Sequence, residues 1–587
     1  MSETAQFPPP SGTGAAGPPM AVADMADHLN RSEAFTSAFN ARLDEAEEFP
    51  REACLELDRI GVPHYYVPRD LGGRLDDYTD LVEVIRTVSR KDLTVAIAHV
   101  KTFLGGAPSW LAAEESGDGR SAAQARRLAD RITGGAAVSW GLTEPGRGSD
   151  LLAGQLTAEP VSDGYRLDGR KWPVNNATRS DLLCLLARTG PRKGPRDFTL
   201  LMADKNALAP GSYSHLPKAR TVGIRGADIS GIVFDGAIVP EENTVGPAGS
   251  GFELVLKAFQ LTRTICAGLS LGAADHALHS TWDFVGHRRL YGRFLAELPH
   301  VRTTLGAQYA ACHAAEALTS AAARAVRSLP GEMSVYSAVV KALVPEIVDE
   351  VIAECGQLLG ARAFLREELD HGSFQKLERD HRIVGIFDGN RYVNRQALIR
   401  QFPRLVACWN RGDRLEAGVR AATGADEQPP GGGRLQLVSR TGCSLVQALP
   451  GAVEGLRASG ASTPAIRSAE RVLDRCERLH QRLARYDTRA TRIEAELFDA
   501  ARSYELCVAA SAVIHMFLTG ADRRHTDTEF GELRLQAALL WILSRLDGHA
   551  DDEADRVYGA VADSLEARLA ERDRLPSLLD NGEEHRR

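Results

Sequence analysis

Apolar positions change their period along the chain, and each change marks a boundary. From Asp24 to about Arg131 they recur at helical spacing. Leu43, Ala46 and Phe49 lead to Pro50, and Ala53, Leu55, Leu57 and Ile60 lead to a stop at Gly61. Asp80–Ser89 and Leu93–Leu104 resume the pattern after the turn-rich Val67–Gly73, which predicts a helical N-terminal domain over residues 24–135. At about Ala136 short apolar runs replace it: Ala137–Leu142, Tyr165–Gly169, Leu182–Ala187, Thr199–Met202 and Gly231–Phe234, separated by glycines and turns. They predict a small antiparallel β domain, sandwich or barrel, over residues 136–245.

Helical spacing returns at Gly251 and holds to about Cys408. It predicts a four-helix bundle over residues 246–410, from Phe252–Gly286, Phe294–Ser328, Ser334–Gly360 and Phe387–Ala407. Residues 411–433, ending in Gln428-Pro429-Pro430-Gly431-Gly432-Gly433, predict a linker. Residues 434–587 predict an extra helical domain, from Ala465–Tyr486, Ala490–Leu518, Leu533–Leu546 and Glu553–Leu569, with a polar tail after Leu579. The fold class is therefore α+β, mostly α, with a ligand cleft expected where the domains meet.

Composition narrows this picture. The chain of 587 residues is 44% hydrophobic and 25% charged, with a net charge of −8 and a pI near 6.1. No basic stretch suggests a nucleic-acid partner. Met1–Ala23 is rich in Pro, Gly and Ala, without a basic n-region, and reads as a disordered tail instead of a secretory signal. The longest apolar stretch, Val508–Leu518, is too short to span a bilayer and reads as a buried helix. Nine scattered cysteines, with no Cys-x-x-Cys, point to reduced thiols in the cytoplasm and to no metal site.

Two stretches carry candidate chemistry. Leu142-Thr143-Glu144-Pro145-Gly146-Arg147-Gly148-Ser149-Asp150 follows a strand-like run and is dense in glycine and hydroxyls. It is either a plain turn or a loop whose donors hold the heteroatoms of a cofactor. Arg379–Asn390 passes from a charged pair through Ile383, Val384 and Ile386 to Phe387-Asp388-Gly389. There the glycine frees the backbone and apolar neighbours desolvate the acid, which suits a general base; an Asp-Gly turn has the same residues.

The order of these motifs resembles the acyl-CoA dehydrogenase family over roughly residues 30–408. Leu142–Asp150 is similar to its Thr-Glu-Pro-x-x-Gly-Ser-Asp signature, and Gly164–Lys171 to its next strand and turn. Gly223-Ile224-Arg225-Gly226 with Phe234–Asn243 resembles the end of its β domain. Arg288-Arg289-Leu290-Tyr291-Gly292 resembles Arg-x-x-Phe-Gly, and Gln357-Leu358-Leu359-Gly360 resembles Gln-x-x-Gly-Gly. Arg379-Asp380 then leads at the family's spacing to Phe387-Asp388-Gly389-Asn390, similar to its Tyr-Glu-Gly-Thr.

The resemblance implies FAD and α,β-dehydrogenation of an acyl thioester, on coenzyme A or a carrier protein. Asp388 would remove the α-proton, its backbone N–H would help polarise the thioester oxygen, and Arg263 would stand beside it. Trp140, Leu142, Thr143, Gly148, Ser149, Trp172, Asn175 and Asn390 would hold the flavin. Arg288, Tyr291, Gln357 and Gly360 would reach the FAD of a neighbouring subunit. An electron-transfer flavoprotein or oxygen would accept the electrons. The extra helices resemble, in position, the C-terminal extensions of very-long-chain dehydrogenases and acyl-CoA oxidases, which cover the tetramer surface; this implies a homodimer.

The chain departs from the family pattern at several places. The base is Asp where Glu is usual, about 1 Å or more too short. Thr262 stands where some relatives carry their Glu. Pro173 takes an aromatic position beside the flavin, and Asn390 replaces Thr. These departures leave two further readings, a flavin monooxygenase or oxidase on the same fold, and a catalytically weak paralogue with a binding role.

Overall fold

The computed structural model describes residues 16–190, 194–424, 433–486, 494–521, 528–572 and 575–578. Most of the expected N-terminal tail, the Pro-Gly run at the end of the linker and the polar C-terminal tail lie outside the described residues. Where the tail enters the structure it is held: the Gly17 and Met20 N–H groups donate to Asp58 O and Ile60 O, and Tyr65 Oη donates to Met20 O.

Six helices make the N-terminal region: α1 (Val22–Arg31), α2 (Ser37–Ala46), α3 (Arg51–Arg59), α4 (Tyr78–Lys91), α5 (Leu93–Ser116) and α6 (Gly119–Thr133). The last three have Asp N-caps, Asp77, Asp92 and Asp118, each accepting a first-turn N–H. α5 is buried nearly all round, so its apolar residues run without a polar face.

The β domain is one eight-stranded sheet: β1 (Val138–Gly141), β2 (Thr157–Val161), β3 (Gly164–Asn175), β4 (Leu182–Arg188), β5 (Phe198–Asp204), β6 (Tyr213–Leu216), β7 (Ile229–Pro240) and β8 (Thr244–Val245). Its order is β6-β7-β3-β2-β4-β5-β8, with β1 beside β4. The sheet is mixed where a wholly antiparallel one was expected: β1 lies parallel to β4, and β2 meets β4 through a parallel pair, Thr157–Arg188. β4 explains why its run is apolar throughout. Leu183, Leu185 and Ala187 enter a core within the β domain, while Leu182, Cys184 and Leu186 enter the main core shared with the helices. β3 slips register between Lys171 and Val174, at the cis Trp172–Pro173 bond; a proline has no N–H for the ladder.

The bundle differs from four unbroken rods. The first rod is α7 (Gly251–Ile265) and α8 (Ala267–His287), meeting at Cys266. A two-residue hairpin, Arg289–Leu290 with Arg293–Phe294, precedes α9 (Pro299–Ser328), whose Pro299 suits the first turn. After α10 (Met333–Leu359) comes α11 (Glu368–His381), a helix absent from the sequence expectation and non-helical from Leu369 to Gly372. The last rod is α12 (Arg391–Ile399) and α13 (Phe402–Arg411). It starts late because Asp388 and Gly389 have positive φ, 55° and 96°. It breaks ahead of Pro403, which cannot donate to an upstream carbonyl.

The stretch expected to be linker contains α14 (Glu416–Thr423), packed on α9 with Gly418 against Leu329. The extra helices are α15 (Ser444–Gln447), α16 (Leu449–Ala458), α17 (Thr463–Leu483), α18 (Ala495–Leu518), α19 (Thr528–Asp547) and α20 (Ala554–Arg572). α18, α19 and α20 all pack on α9 and share the main core with the bundle. Gly306 lets α20 approach: a Cβ there would meet Tyr558 O at 1.9 Å. The last described segment reaches further in. Ser577 and Leu578 N–H meet Glu316, and Arg86 bridges Glu316 at 2.6 Å and Asp275 at 2.7 and 2.8 Å.

Candidate active site

The loop between α11 and α12 is fastened at nearly every step. Asp380, fully buried, accepts from Lys376 at 2.7 Å, from Thr94 at 2.8 Å and from Ile224 N–H at 2.5 Å. Lys376 also bonds Asp92 at 2.8 Å, and these two carboxylates hold its ammonium well above the ordinary range against the effect of burial. His381, also buried, reaches Asp349 at 2.7 Å and Ser270 at 2.9 Å. Lys341 donates to Val384 O. Arg263 Nε donates to Asp388 O at 2.8 Å, and Asn394 donates to Gly389 O at 2.8 Å. Asn390 caps α12, its side-chain oxygen accepting from Val393 N–H at 3.1 Å. A side chain at Gly389 would press on Arg263 at 3.0 Å.

Asp388 stands apart within this web. Its Oδ2 is buried and has no hydrogen-bond partner. Its left-handed backbone is one that Asp and Asn tolerate better than most residues.

Aromatic rings and cations gather at Phe259 and at Phe387, the residue before Asp388. Trp140, on β1, stacks on Phe259 of α7 with centroids 5.6 Å apart and planes 13° apart; the Arg263 guanidinium lies 4.7 Å from the same Phe259 ring. Phe387 meets Lys101 of α5 at 4.0 Å and Lys341 of α10 at 4.8 Å. Burial pushes the Lys341 amine down to about 8, and pushes Arg263 down to about 10 against the pull of Asp388. Burial also pushes the nearby Cys266 thiol up to about 12, so it stays neutral. Trp140 Nε1, Asn175 Oδ1 and Thr262 Oγ1 are buried without partners, as Asp388 Oδ2 is. A buried polar atom left bare marks a place where a ligand can satisfy it.

The glycine loop leaves β1 and stands on a buried ion pair. Lys171 donates to Glu144 at 2.9 Å and to Leu142 O at 3.0 Å. Burial works against the Glu144 carboxylate, but Lys171 and the N–H groups of Leu156 and Gln155 hold it below its ordinary range. Thr143 O accepts from Trp172 N–H at 3.0 Å. Beyond Glu144 the loop opens: Gly148 and Ser149 are exposed, and nothing lies within 4 Å of a Cβ placed at Gly146 or Gly148. Asn175 donates to Ile97 O at 3.2 Å, one turn of α5 from Lys101. The Trp172 ring lies against Gly231 and the next residue, Pro173, is exposed.

The residues expected from the sequence thus fall in two places. Trp140, Arg263 and Asp388 are linked through Phe259, while Leu142 and Thr143 lead from β1 into the open loop of Gly148 and Ser149 and Asn175 bonds α5. Arg288, Tyr291, Gln357 and Gly360 lie at the outer ends of α8 and α10, brought together by Leu358 packing with Trp282, Phe284 and Val285. Tyr291 there is 98% exposed. Lys101, Lys341 and Phe259 escaped the sequence reading; a lysine inside an apolar helical run was the available signal for the first two. A separate polar cavity, lined by Asn40, Asp92, His276, Ser373, Lys376 and Asp380 among others, includes none of the residues around Phe387.

Comparison with known proteins agrees with this geometry. Residues 139–237 match the acyl-CoA dehydrogenase middle domain and residues 249–402 match the acyl-CoA dehydrogenase C-terminal domain. The probable acyl-CoA dehydrogenase FadE25 of Mycobacterium tuberculosis is 26% identical over 365 residues, 62% of this chain and 90% of that protein. A subunit of a caffeyl-CoA reductase–Etf complex, CarC of Acetobacterium woodii, is 25% identical over 360 residues, 61% of this chain and 90% of that one. Butyryl-CoA dehydrogenase from Megasphaera elsdenii superposes with a TM-score of 0.58 at 22% identity, covering 64% of this chain and 94% of that one. An acyl-CoA dehydrogenase complexed with FAD from Bacillus anthracis superposes with a TM-score of 0.66 at 18% identity, covering 94% of this chain and 95% of that one. The chain thus carries acyl-CoA dehydrogenase middle and C-terminal domains over residues 139–237 and 249–402.

Proposed function

We propose that this protein carries out FAD-dependent α,β-dehydrogenation of an acyl thioester, with Asp388 taking the α-proton. The observation that carries this reading is the bare, buried Asp388 Oδ2 in a loop whose other groups are engaged. A base must be able to reach a substrate proton, and a carboxylate already bonded to the protein could not do so without breaking that bond. The residues present fit a flavin: Trp140 Nε1 and Asn175 Oδ1 lack partners, and the Gly146–Ser149 loop is open. When bound, FAD supplies the acceptor for the β-hydride. Arg263 keeps Asp388 in place through its backbone oxygen, and Asn394 keeps Gly389 in place. Under exclusion of air, coenzyme A acyl thioesters are expected to bleach the visible spectrum of the purified yellow protein. Bleaching only by an external reductant, with oxygen consumed on substrate, would point to a monooxygenase or oxidase instead.

A thioester on coenzyme A or on a carrier protein would present the same reacting atoms. The Etf complex to which the Acetobacterium relative belongs supports an electron-transfer flavoprotein as acceptor, with oxygen as the other choice. The nine free cysteines fit a reducing cytoplasm. A homodimer is the expected assembly. Tyr291 (98% exposed) and Phe364 (87% exposed) leave an apolar outer end on α8 and α10 for a second copy, while α18, α19 and α20 cover α9. There Arg288, Tyr291, Gln357 and Gly360 would reach the FAD of the other subunit. Light scattering should give twice the chain mass, and four times that mass would refute the covered-surface reading.

A further inference from the structure

Lys101 is out of keeping with its helix. Between Leu93 and Ala112, only His99 and Lys101 of α5 are not buried. His99 is engaged by Tyr66 and Asp58. The Lys101 ammonium instead lies over Phe387, the residue before Asp388, and among the described residues no carboxylate stands within ion-pair distance of it.

The local charge does not balance. Lys101 and Lys341 lie at the Phe387 ring, Arg263 bonds the main-chain oxygen of the next residue, Asp388, and Cys266 stays neutral. Lys341 donates a hydrogen bond to Val384 O and Arg263 donates one to Asp388 O, whereas among the described residues the Lys101 ammonium makes no hydrogen bond or ion pair and rests on the Phe387 ring alone. A partly enclosed cation without a counter-charge is unfavourable unless an anion joins it.

We propose that Lys101 is a specificity-determining residue, receiving an anionic group, a carboxylate, carried by the acyl portion of the thioester. This rests on the reading of Asp388 as the base, since it places the acyl group between α5 and the Asp388 loop.

The test compares the flavin-loaded protein with Lys101→Met and Lys101→Arg. The substrates are a dicarboxylic acid mono-thioester of coenzyme A and a neutral acyl-CoA of matched length. A charge-assisted hydrogen bond corresponds to a preference of about ten- to a hundredfold in kcat/KM for the anionic substrate, carried by KM. Lys101→Met should collapse that ratio to near one, and Lys101→Arg should keep most of it. A wild-type protein that prefers the neutral thioester, or a ratio unmoved by Lys101→Met, would overturn the proposal. Calorimetric binding to Asp388→Asn protein, with and without Lys101→Met, reads the same preference without turnover. If neutral thioesters bleach the flavin and Lys101→Met changes nothing, this inference alone fails. If no thioester bleaches it, the dehydrogenase reading fails as well.

Discussion

Asp388→Asn should slow flavin bleaching by an acyl thioester roughly 10²–10⁴-fold, the usual contribution of a positioned general base. That range corresponds to about 3–5 kcal/mol of barrier. The substitution is clean for three reasons. Asn has the shape of Asp and tolerates the φ of 55° at this position. Asp388 Oδ2 bonds to nothing, so no hydrogen bond is lost there. The loop is held by Arg263, Lys341 and Asn394 through main-chain oxygens that remain. The loss should therefore appear in the bleaching rate measured by rapid mixing, with the melting temperature nearly unchanged. A variant that failed to fold or to hold flavin would instead make Asp388 a structural residue.

Asp380→Asn should do the opposite and act first on stability. Asp380 lies only eight positions earlier in the same sequence motif, yet its environment differs completely. It is fully buried, and its two oxygens accept from Lys376, Thr94 and the Ile224 N–H, tying α11 to α5 and to the segment ahead of β7. The amide keeps the shape but cannot accept at both positions, and it leaves Lys376 with Asp92 as its remaining carboxylate. Removing one partner of a buried charge pair costs about 3–5 kcal/mol. Thermal or denaturant unfolding will show it, and a melting temperature within a degree of wild type would mean that the cluster adds little. Lys376→Met in the same background should not recover the loss, because it leaves the buried Asp92 carboxylate without its cation.

The contrast between these two acids shows what the chain makes legible. Helical and strand periods marked the N-terminal helices, β4, α10 and the C-terminal layer, because each buries one or both faces in a core and its residues follow. The ordered motifs singled out the loop of Asp388, whose Oδ2 is buried without a partner. Pairing across distance left weaker traces. Nothing in Val138–Gly141 says that it runs parallel to β4, and β2, which is mostly exposed, lacks the apolar alternation that betrays a strand. α14 sits in a stretch too short and mixed to announce a helix, and is held by its packing on α9. Asn390, expected beside the flavin, spends its side-chain oxygen on capping α12. Lys101 and Lys341 become meaningful only when α5 and α10 bring them to one ring. Local chemistry could be read from neighbours in sequence, whereas charge balance needed neighbours in space.

Removal of the α-proton by Asp388 can be followed at the proton itself. An acyl thioester deuterated at the α-carbon is mixed anaerobically with wild-type protein and with Asp388→Asn, and bleaching of the flavin is timed against the undeuterated thioester. A primary isotope effect is expected in the wild type, with bleaching at least about a hundredfold slower in Asp388→Asn. Bleaching at the same rate in both proteins, with no isotope effect in either, would contradict it.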